Sequence, residues 1–199
     1  MKKTQLVLDV AGVLITNFSP AFWHDTTRAN GITFGELKLL FATEIRKPLW
    51  TGQMSEEAFW NWLAGYCPVE PKELKTILFN NLHTMPAFDL VPEWSVQTDI
   101  HLLSNHRSEW LQMLLDPIRP YLASVTISSD EGCCKPDLPI YHIVASKLDE
   151  GKSTIYVDDQ AKNLRPAEEL SWSTVLADPE GQWIKLVQKK LQEMDTYII

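Results

Sequence analysis

The sequence predicts an α/β protein: a doubly wound, Rossmann-like parallel sheet that carries a small all-helical insertion after its first strand. After residue 86, short apolar segments typical of buried strands alternate with segments of helical character, which is typical of parallel sheets whose strands are joined by helices. Residues 17–85 contain helical patterns and no strand pattern. We therefore expect a core domain of residues 1–16 and 86–199 and a helical domain of residues 17–85.

The composition limits what the protein can bind. The chain has 199 residues, 45% of them hydrophobic, so it can bury a core. Its formal net charge is −8 without a cluster of Lys and Arg, which argues against nucleic acid and membrane as partners. Three cysteines without a CxxC pair make no disulfide framework, so we expect a cytoplasmic protein. Asp9 interrupts the apolar run near the first residue, so we expect no secretory segment there.

The predicted elements follow in order along the chain. The first strand is the apolar run of residues 6–8, which ends on Asp9 and turns through Gly12. In the insertion, helices are expected at residues 21–30, 34–46, 55–64 and 71–83. Ser55 suits the start of the third of these helices, because its hydroxyl can accept a hydrogen bond from the first turn. Beyond the insertion we expect strands at residues 100–103, 125–128, 154–157 and 173–176, with helices at 92–99, 109–115, 138–148, 163–170 and 183–194.

Polar residues stand at the ends of three predicted strands. Asp9 follows the first strand, Ser104 the second, and Asp158 and Asp159 the fourth. The carboxyl ends of parallel strands share one edge of the sheet, where such proteins bind ligands. Each residue also has a simpler interpretation as a cap of the turn or helix that follows, and Lys135 as a solvated loop lysine. Two adjacent acids at a buried strand end are costly without a cation, so the pair favours a metal site.

Four segments resemble, in the same order, the four motifs of the haloacid dehalogenase superfamily. Residues 8–13 (LDVAGV) resemble its nucleophile motif, residues 103–105 (LSN) its Ser/Thr motif, residues 135–136 (KP) its lysine motif and residues 157–159 (VDD) its acidic pair. Residues 52–59 (GQMSEEAF) resemble a helix of members that carry a small helical cap. That branch includes sugar-phosphate phosphatases and the phosphatase domain of soluble epoxide hydrolases. The insertion would be this cap.

The resemblance implies a Mg²⁺-dependent phosphoryl transfer. Asp9 would be the nucleophile and would form an aspartyl-phosphate, which splits one difficult step into two. By resemblance, Mg²⁺ would be held by Asp9, the backbone carbonyl of Ala11 and the carboxylate of Asp159. Asp158 would lie outside the direct ligands and orient water or Lys135.

The remaining motif residues would hold the substrate. Lys135 would contact both Asp9 and the phosphate as a point charge. The hydroxyl of Ser104, with Asn105 and nearby backbone N–H groups, would bind the phosphoryl oxygens. The resemblance thus implies a small phosphorylated, or phosphonate, substrate. Neither this substrate nor the oligomeric state is named by the sequence.

Residue 11 departs from the pattern of the family's phosphatases. They usually carry an aspartate two residues after the nucleophile, as general acid for the leaving group and then as base for water. Ala11 can do neither, although it keeps the carbonyl that the metal needs. General acid–base catalysis contributes roughly 10²–10⁴-fold, so we expect low activity or a good leaving group. His106, His24 and Asp25 are candidates to replace this aspartate because of their positions in the sequence. Each of them is more typical of a surface or capping residue.

Two other functions stay open. A catalytically weak regulatory protein would keep the phosphate and Mg²⁺ pocket without turnover. A phosphonatase-like hydrolase of C–P bonds would also have alanine at this position, but its Schiff-base lysine lies in the cap; Lys38 and Lys47 lie there without a matching context. Dehalogenase members lack the second aspartate too, but they use no metal, so the acidic pair argues against that chemistry.

The cap is expected to close over the strand ends and to select the substrate. Trp50, Arg46 and Lys47 are candidates to line it, and the two basic residues would bind an anionic part of the substrate if they are not simply solvated. Trp60 and Trp62 are also candidates, although we expect them in the core of the cap.

Overall fold

A five-stranded sheet forms the centre of the protein in the computed structural model, which describes residues 4–17, 20–27 and 32–196. Its strands are β1 (Gln5–Leu8), β2 (Asp99–Ser104), β3 (Leu122–Ile127), β4 (Thr154–Asp158) and β5 (Ser173–Leu176). They run parallel in the order β3-β2-β1-β4-β5. The prediction of a parallel α/β sheet is confirmed, and β1 lies in its middle, between β2 and β4.

Helices join the strands and cover the sheet. They are α1 (Pro20–Thr27), α2 (Phe34–Leu40), α3 (Arg46–Trp50), α4 (Glu56–Ala64), α5 (Pro71–Asn81), α6 (Val91–Gln97), α7 (Ser108–Leu115), α8 (Ser128–Glu131), α9 (Leu138–Ala145), α10 (Ala161–Glu169) and α11 (Gln182–Thr196). The first six lie between β1 and β2, and no strand of the sheet comes from the described part of that segment. None of the described helices has the length and apolar composition needed to cross a membrane.

Both faces of the sheet are covered by apolar side chains. Leu6 and Leu8 of β1 belong to a large cluster that contains Trp94 of α6, whereas Val7 belongs to a second cluster that contains Tyr141 of α9. This division follows from the alternation of side chains along a strand. Because both faces of the sheet are covered, all four residues of β1 are buried, and residues 6–8 form a continuous apolar run.

The large cluster continues from the sheet into the helices between β1 and β2. Two polar contacts accompany this packing. Glu56 at the start of α4 accepts hydrogen bonds from the indole N–H of Trp110 of α7 (2.6 Å) and from that of Trp60 (3.1 Å). The guanidinium of Arg107 donates to the backbone carbonyl of Met54 at 2.5 Å. The helices that follow β1 are therefore tied to α7 on the sheet.

The helix expected at residues 34–46 extends further, to Trp50. α2 and α3 are joined by one π-helical stretch, Phe41–Ile45. The following turn contains Gly52, whose φ is +71° and whose Cβ, if it had one, would lie 2.3 Å from the backbone carbonyl oxygen of Ser129. Only glycine fits this close approach of the turn to α8.

Other boundaries differ from the predicted ones. β3 begins at Leu122 instead of 125, because the first residues of this edge strand are only partly buried and lack an apolar pattern. Ser128 belongs to the short helix α8, a segment expected to be strand end and loop, and α9 ends at Ala145 instead of 148. The helix expected at residues 21–30 begins at Pro20, and positions 28–30 lie outside the described residues.

Candidate active site

The polar ends of the three central strands meet at one edge of the sheet. β2, β1 and β4 are neighbours and parallel, so Ser104, Asp9 and Asp158 end the strands side by side. The backbone N–H of Asp9 donates to the carbonyl of Val157 at 2.9 Å, which continues the ladder by one residue. Asp9 is 3% exposed and Asp158 is fully buried. The predicted convergence of these residues is what the sheet order produces.

Lys135 enters this edge from the loop before α9. Its ammonium lies 2.8 Å from Asp9 Oδ1 and 2.6 Å from Asp158 Oδ2, and it donates to the carbonyl of Leu103 at 3.2 Å. The side chain is 1% exposed. A buried ammonium is stable only with such partners, so the lysine belongs to the buried polar cluster at the strand ends and is not a solvated loop residue.

Asp158 has its hydrogen-bonding capacity taken up by the protein. Oδ2 accepts from Lys135 and from the hydroxyl of Tyr156 at 2.5 Å, and Oδ1 accepts from the backbone N–H of Gln160 at 2.8 Å. The side-chain amide of Asn163 donates to both oxygens, at 2.9 and 3.1 Å. The arrangement leaves Asp158 to hold Lys135. Tyr156 and Asn163 were not predicted as site residues, because nothing in their local sequence marks them.

Burial and neighbouring charges have opposing effects on the pKa values of Asp9, Lys135 and Asp158. Burial raises the pKa of Asp9 well above its ordinary value; Lys135 acts in the other direction, and the carboxylates of Asp158 and Asp159 add to the rise. For Lys135, burial alone would lower the pKa, but the attraction of Asp9 and Asp158 outweighs it and raises the pKa. Asp158 keeps a lowered pKa, because the lysine and the hydrogen bonds to it outweigh its burial.

The acids fit a divalent cation. One oxygen each from Asp9, Asp158 and Asp159 can be chosen so that all three lie within 4.8 Å of one another. Asp159 is half-buried, and its Oδ2 accepts from the side-chain amide of Asn17 at 2.9 Å. Three carboxylates this close repel one another unless protons or a cation neutralise them, and hard oxygen donors suit Mg²⁺. With Asp158 bound to Lys135, the oxygens that remain for a metal belong to Asp9 and Asp159.

Gly12 allows the turn after β1 to approach Asp159. Its φ is +88°, and a Cβ on this residue would lie 2.5 Å from Asp159 Oδ2 and 2.8 Å from the side-chain amide of Asn17. Both the backbone conformation and the space therefore require glycine. The turn also carries Ala11, whose methyl group replaces the carboxylate of the phosphatase pattern at the cavity surface.

A cavity of about 620 Å³ opens above these residues. Its floor includes Asp9, Ala11, Asn105, Lys135 and Asp159. Its other walls come partly from the helices that follow β1, with the side chains of Trp23, Lys38, Phe41, Arg46, Lys47 and Trp50. The size suits a small metabolite, since ligand pockets measure about 300–1,000 Å³.

Ser104 and Asn105 take different positions. Asn105 lines the cavity, whereas Ser104 is fully buried and does not. Among the described residues, the hydroxyl of Ser104 has no hydrogen-bond partner. A buried hydroxyl without a hydrogen-bond partner is unusual in a folded protein.

Of the three candidate proton donors, only His106 is among the described residues that line the cavity. His106 was expected at the surface or as a cap, but it is 1% exposed, with its ring 5.4 Å from that of Trp50 and 5.6 Å from that of Trp110. The expectation was wrong because aromatic rings enclose His106: Trp50 comes from α3 and Trp110 comes from α7. Burial lowers the pKa of His106 to about 4, and Nε2 is enclosed without a partner among the described residues.

His24 and Asp25 lie on α1, away from the cavity. The ring of His24 stacks on that of Phe34 at 4.6 Å, and Asp25 accepts a hydrogen bond from Asn81 at 3.4 Å. Neither residue lines the cavity. Neither His24 nor Asp25 therefore lies where it could replace the acid that is missing at position 11.

The tryptophans of the insertion divide between cavity and core. Trp50 lines the cavity, while Trp60 is buried in the large apolar cluster and Trp62 packs against it. The basic residues Arg46 and Lys47 line the cavity, and Lys38 does so as well.

Comparison with known proteins adds to this geometry. No protein-family model and no curated protein matches the chain. Among solved structures, the chain is similar to a HAD family enzyme from Bacteroides thetaiotaomicron, with a TM-score of 0.79, 19% identity and coverage of 94% of this chain and 99% of that one. It is also similar to a HAD-like family hydrolase from Porphyromonas gingivalis, with a TM-score of 0.76, 22% identity and coverage of 96% and 98%.

Two further comparisons are informative. A dehalogenase matches with a TM-score of 0.62 and 23% identity over 90% of this chain and 86% of that one. The Bacteroides enzyme has also been crystallised with magnesium, and with magnesium and inorganic phosphate. Likenesses at these identities establish the architecture of a chain. This protein has the fold of the haloacid dehalogenase superfamily.

Proposed function

We propose that the protein is a Mg²⁺-dependent hydrolase or phosphotransferase that acts on a small phosphorylated metabolite through an aspartyl-phosphate on Asp9. The observation that carries this proposal is the position of Asp9: a buried carboxylate on the floor of the cavity, 2.8 Å from the ammonium of Lys135 and beside Asp159. The similar Bacteroides enzyme, which binds magnesium and phosphate, supports it.

The contacts of Asp9 suit a nucleophile. Oδ1 accepts from the backbone N–H of Val10 at 2.7 Å and lies next to Lys135, so the carboxylate is fixed in orientation. The other oxygen is then available to attack phosphorus. Mg²⁺ held by Asp9, Asp159 and the carbonyl of Ala11 would supply positive charge against the phosphoryl oxygens.

The other residues of the floor act on the substrate. Lys135 neutralises negative charge on the phosphoryl group as well as on Asp9, because its ammonium is held between the strand ends. Asn105, on the cavity wall, and the unpaired hydroxyl of Ser104 supply hydrogen-bond donors to phosphoryl oxygens. Asp158 keeps Lys135 charged and in place.

The leaving group has to depart without a general acid at position 11. We therefore expect acyl phosphates and aryl phosphates to react faster than alkyl phosphates, and the second step, attack of water on the phosphoenzyme, to be slow.

Residues 17–85 would form the cap that closes the site and selects the substrate, in a cytoplasmic protein. The three carboxylates at the strand ends lie close enough together to fit Mg²⁺, and this favours phosphoryl transfer over dehalogenation.

The main alternative is a regulatory protein that binds phosphate and Mg²⁺ without turnover, and Ala11 is the observation that favours it. A phosphonatase-like activity is less well supported. Lys38 does line the cavity, but it is exposed to solvent instead of enclosed, which is a poor setting for a Schiff-base lysine.

Trapping the intermediate tests the proposal. The protein is mixed with ³²P-labelled acetyl phosphate and Mg²⁺, quenched in acid and digested, and the labelled peptide is identified. We expect label on Asp9 in the natural protein and none in Asp9→Asn, because an amide is a poor nucleophile. If the natural protein binds Mg²⁺ and phosphate but is never labelled, the regulatory alternative replaces the enzyme. Label on another residue would contradict the assignment of Asp9.

A further inference from the structure

The cavity has a positively charged side that the phosphoryl chemistry does not use. The chain as a whole carries a formal charge of −8, yet four exposed basic residues line this cavity in addition to Lys135. These are Lys38, Arg46 and Lys47 from α2 and α3, and Lys162 from the start of α10. A concentration of basic residues around one cavity of an acidic protein calls for a specific explanation.

Within the part of the chain that the structure describes, three of these four charges have no acidic partner. Lys47 forms an ion pair with Asp137 at 3.2 Å, in which both side chains are exposed. Among the described residues, no carboxylate lies within ion-pair distance of Lys38, Arg46 or Lys162. Their charges are therefore available to a ligand in the cavity.

The π-helical stretch aligns two of these residues. In an α-helix, successive residues turn by about 100°, so eight residues would leave Arg46 about 80° around the helix from Lys38. The stretch Phe41–Ile45 accommodates one extra residue and reduces this angle to about 20°. Trp50, four residues further on, then lies within about 20° of the same line. Lys38, Arg46 and Trp50 accordingly all reach the cavity.

One phosphoryl group has its own partners on the floor of the cavity. These are Lys135, which is bound to Asp9 and Asp158, and the cation that the acids fit. The residues on α2 and α3 belong to a different wall. Arg46 presents a planar fork of donors that matches a carboxylate or a phosphate in two hydrogen bonds.

We propose that the site selects substrates that carry a second anionic group, a carboxylate or a second phosphate, and that Arg46 and Lys38 bind this group. The inference rests on the proposed function and names the substrate class for it. Lys162 contributes to the same positive field from the core. The second anion would occupy the side of the cavity formed by α2 and α3, with the phosphoryl group over Asp9.

Three non-hydrolysable probes with the same three-carbon chain test this selection. Propylphosphonate has one anionic group, 3-phosphonopropionate adds a carboxylate, and propane-1,3-diylbisphosphonate adds a second phosphonate. Their dissociation constants are measured by calorimetry on the natural protein with Mg²⁺, at low and high salt. We expect at least one of the two doubly anionic probes to bind about tenfold more tightly than propylphosphonate, an advantage that shrinks with salt. Which one does so identifies the carboxylate or the second phosphate.

Variants assign the advantage to residues. In Arg46→Gln and in Lys38→Met, the ratio of dissociation constants between the doubly and singly anionic probes should fall at least about threefold. Lys72→Met, which removes an exposed lysine of α5 outside the cavity, should leave this ratio unchanged. Equal affinities for all three probes in the natural protein, or an advantage that persists in both cavity variants, would overturn the inference.

The two proposals fail in different ways. If neither inorganic phosphate nor propylphosphonate binds in the presence of Mg²⁺, the proposed function fails and the inference fails with it. If both bind and the second anionic group adds nothing, the inference alone is wrong.

Discussion

Asn105 holds the backbone of Lys135 with a reciprocal pair of hydrogen bonds. The side-chain amide of Asn105 donates to the carbonyl of Lys135, and its oxygen accepts from the N–H of the same residue, both at 2.8 Å. The two residues lie far apart in the sequence, Asn105 on the loop that follows β2 and Lys135 on the loop between α8 and α9. This pair fixes the start of the lysine side chain, while Asp9 and Asp158 fix its ammonium.

Replacing Asn105 should therefore affect the chemistry through the lysine as well as through the proposed contact of Asn105 with the phosphoryl group. We expect Asn105→Ala to slow phosphoenzyme formation from acetyl phosphate about tenfold, which corresponds to the loss of about 1–2 kcal/mol of hydrogen bonding. The rate is measured by rapid acid quench. Asn61→Ala, at an exposed position of α4, serves as the control. An unchanged rate in Asn105→Ala would show that the lysine needs no such support.

The proposed Mg²⁺ site leads to a prediction about Asp159. If Asp9 and Asp159 are its two carboxylate ligands, as proposed, Asp159→Ala should weaken Mg²⁺ binding by at least about tenfold, measured by calorimetry. Asp89→Ala removes an exposed carboxylate from another part of the chain and should leave the affinity as it is. The assignment is wrong if both variants bind Mg²⁺ equally well.

Ala11→Asp should restore a general acid to the site. Ala11 lines the cavity, so a longer side chain there can reach the leaving oxygen of a bound substrate. Hydrolysis of sugar phosphates should rise by up to about 10²–10⁴-fold. Hydrolysis of p-nitrophenyl phosphate should rise less, because its leaving group departs without a proton. Steady-state rates on both substrates check this, and an equal rise on both would contradict the role of an acid.

A stability prediction concerns Glu56. Lys75 pairs with it at 2.8 Å, and the indoles of Trp60 and Trp110 donate to it. Burial alone would raise the pKa of Glu56, but the hydrogen bonds from these three partners outweigh it and lower the pKa. Glu56→Gln should lower the free energy of unfolding by about 1–3 kcal/mol at pH 7, because a charged acceptor is lost.

The pH dependence gives this prediction a second check. A carboxyl whose pKa is lower in the folded state stabilises the protein above its unfolded pKa, which is about 4.5. This contribution is lost as the pH falls through the folded pKa. The difference between the natural protein and Glu56→Gln in chemical denaturation should thus shrink below about pH 4.5. Glu57→Gln, at the exposed neighbouring position, should show neither effect.

Much of the fold could be predicted, because it depends on local patterns. The apolar run before Asp9, the alternation of strands and helices after residue 86 and the start of α4 after Ser55 all follow from side-chain period and hydrogen bonding within a few residues. The predicted first and last residues of the helices and strands were less accurate where the residues are only partly buried, as at the start of β3. The division into domains at residues 17–85 stays a prediction.

The sequence by itself determined which acids end the strands, that a lysine precedes α9 and that residue 11 has no carboxylate. Only the tertiary structure decided the surroundings of each residue. The carboxylate of Asp158 accepts hydrogen bonds from Lys135, Tyr156 and Asn163. His106 is enclosed by aromatic rings. The physical reason is that a residue's charge and hydrogen bonding depend on groups brought to it from distant parts of the chain. Local sequence fixes which groups are available, and packing fixes which of them meet.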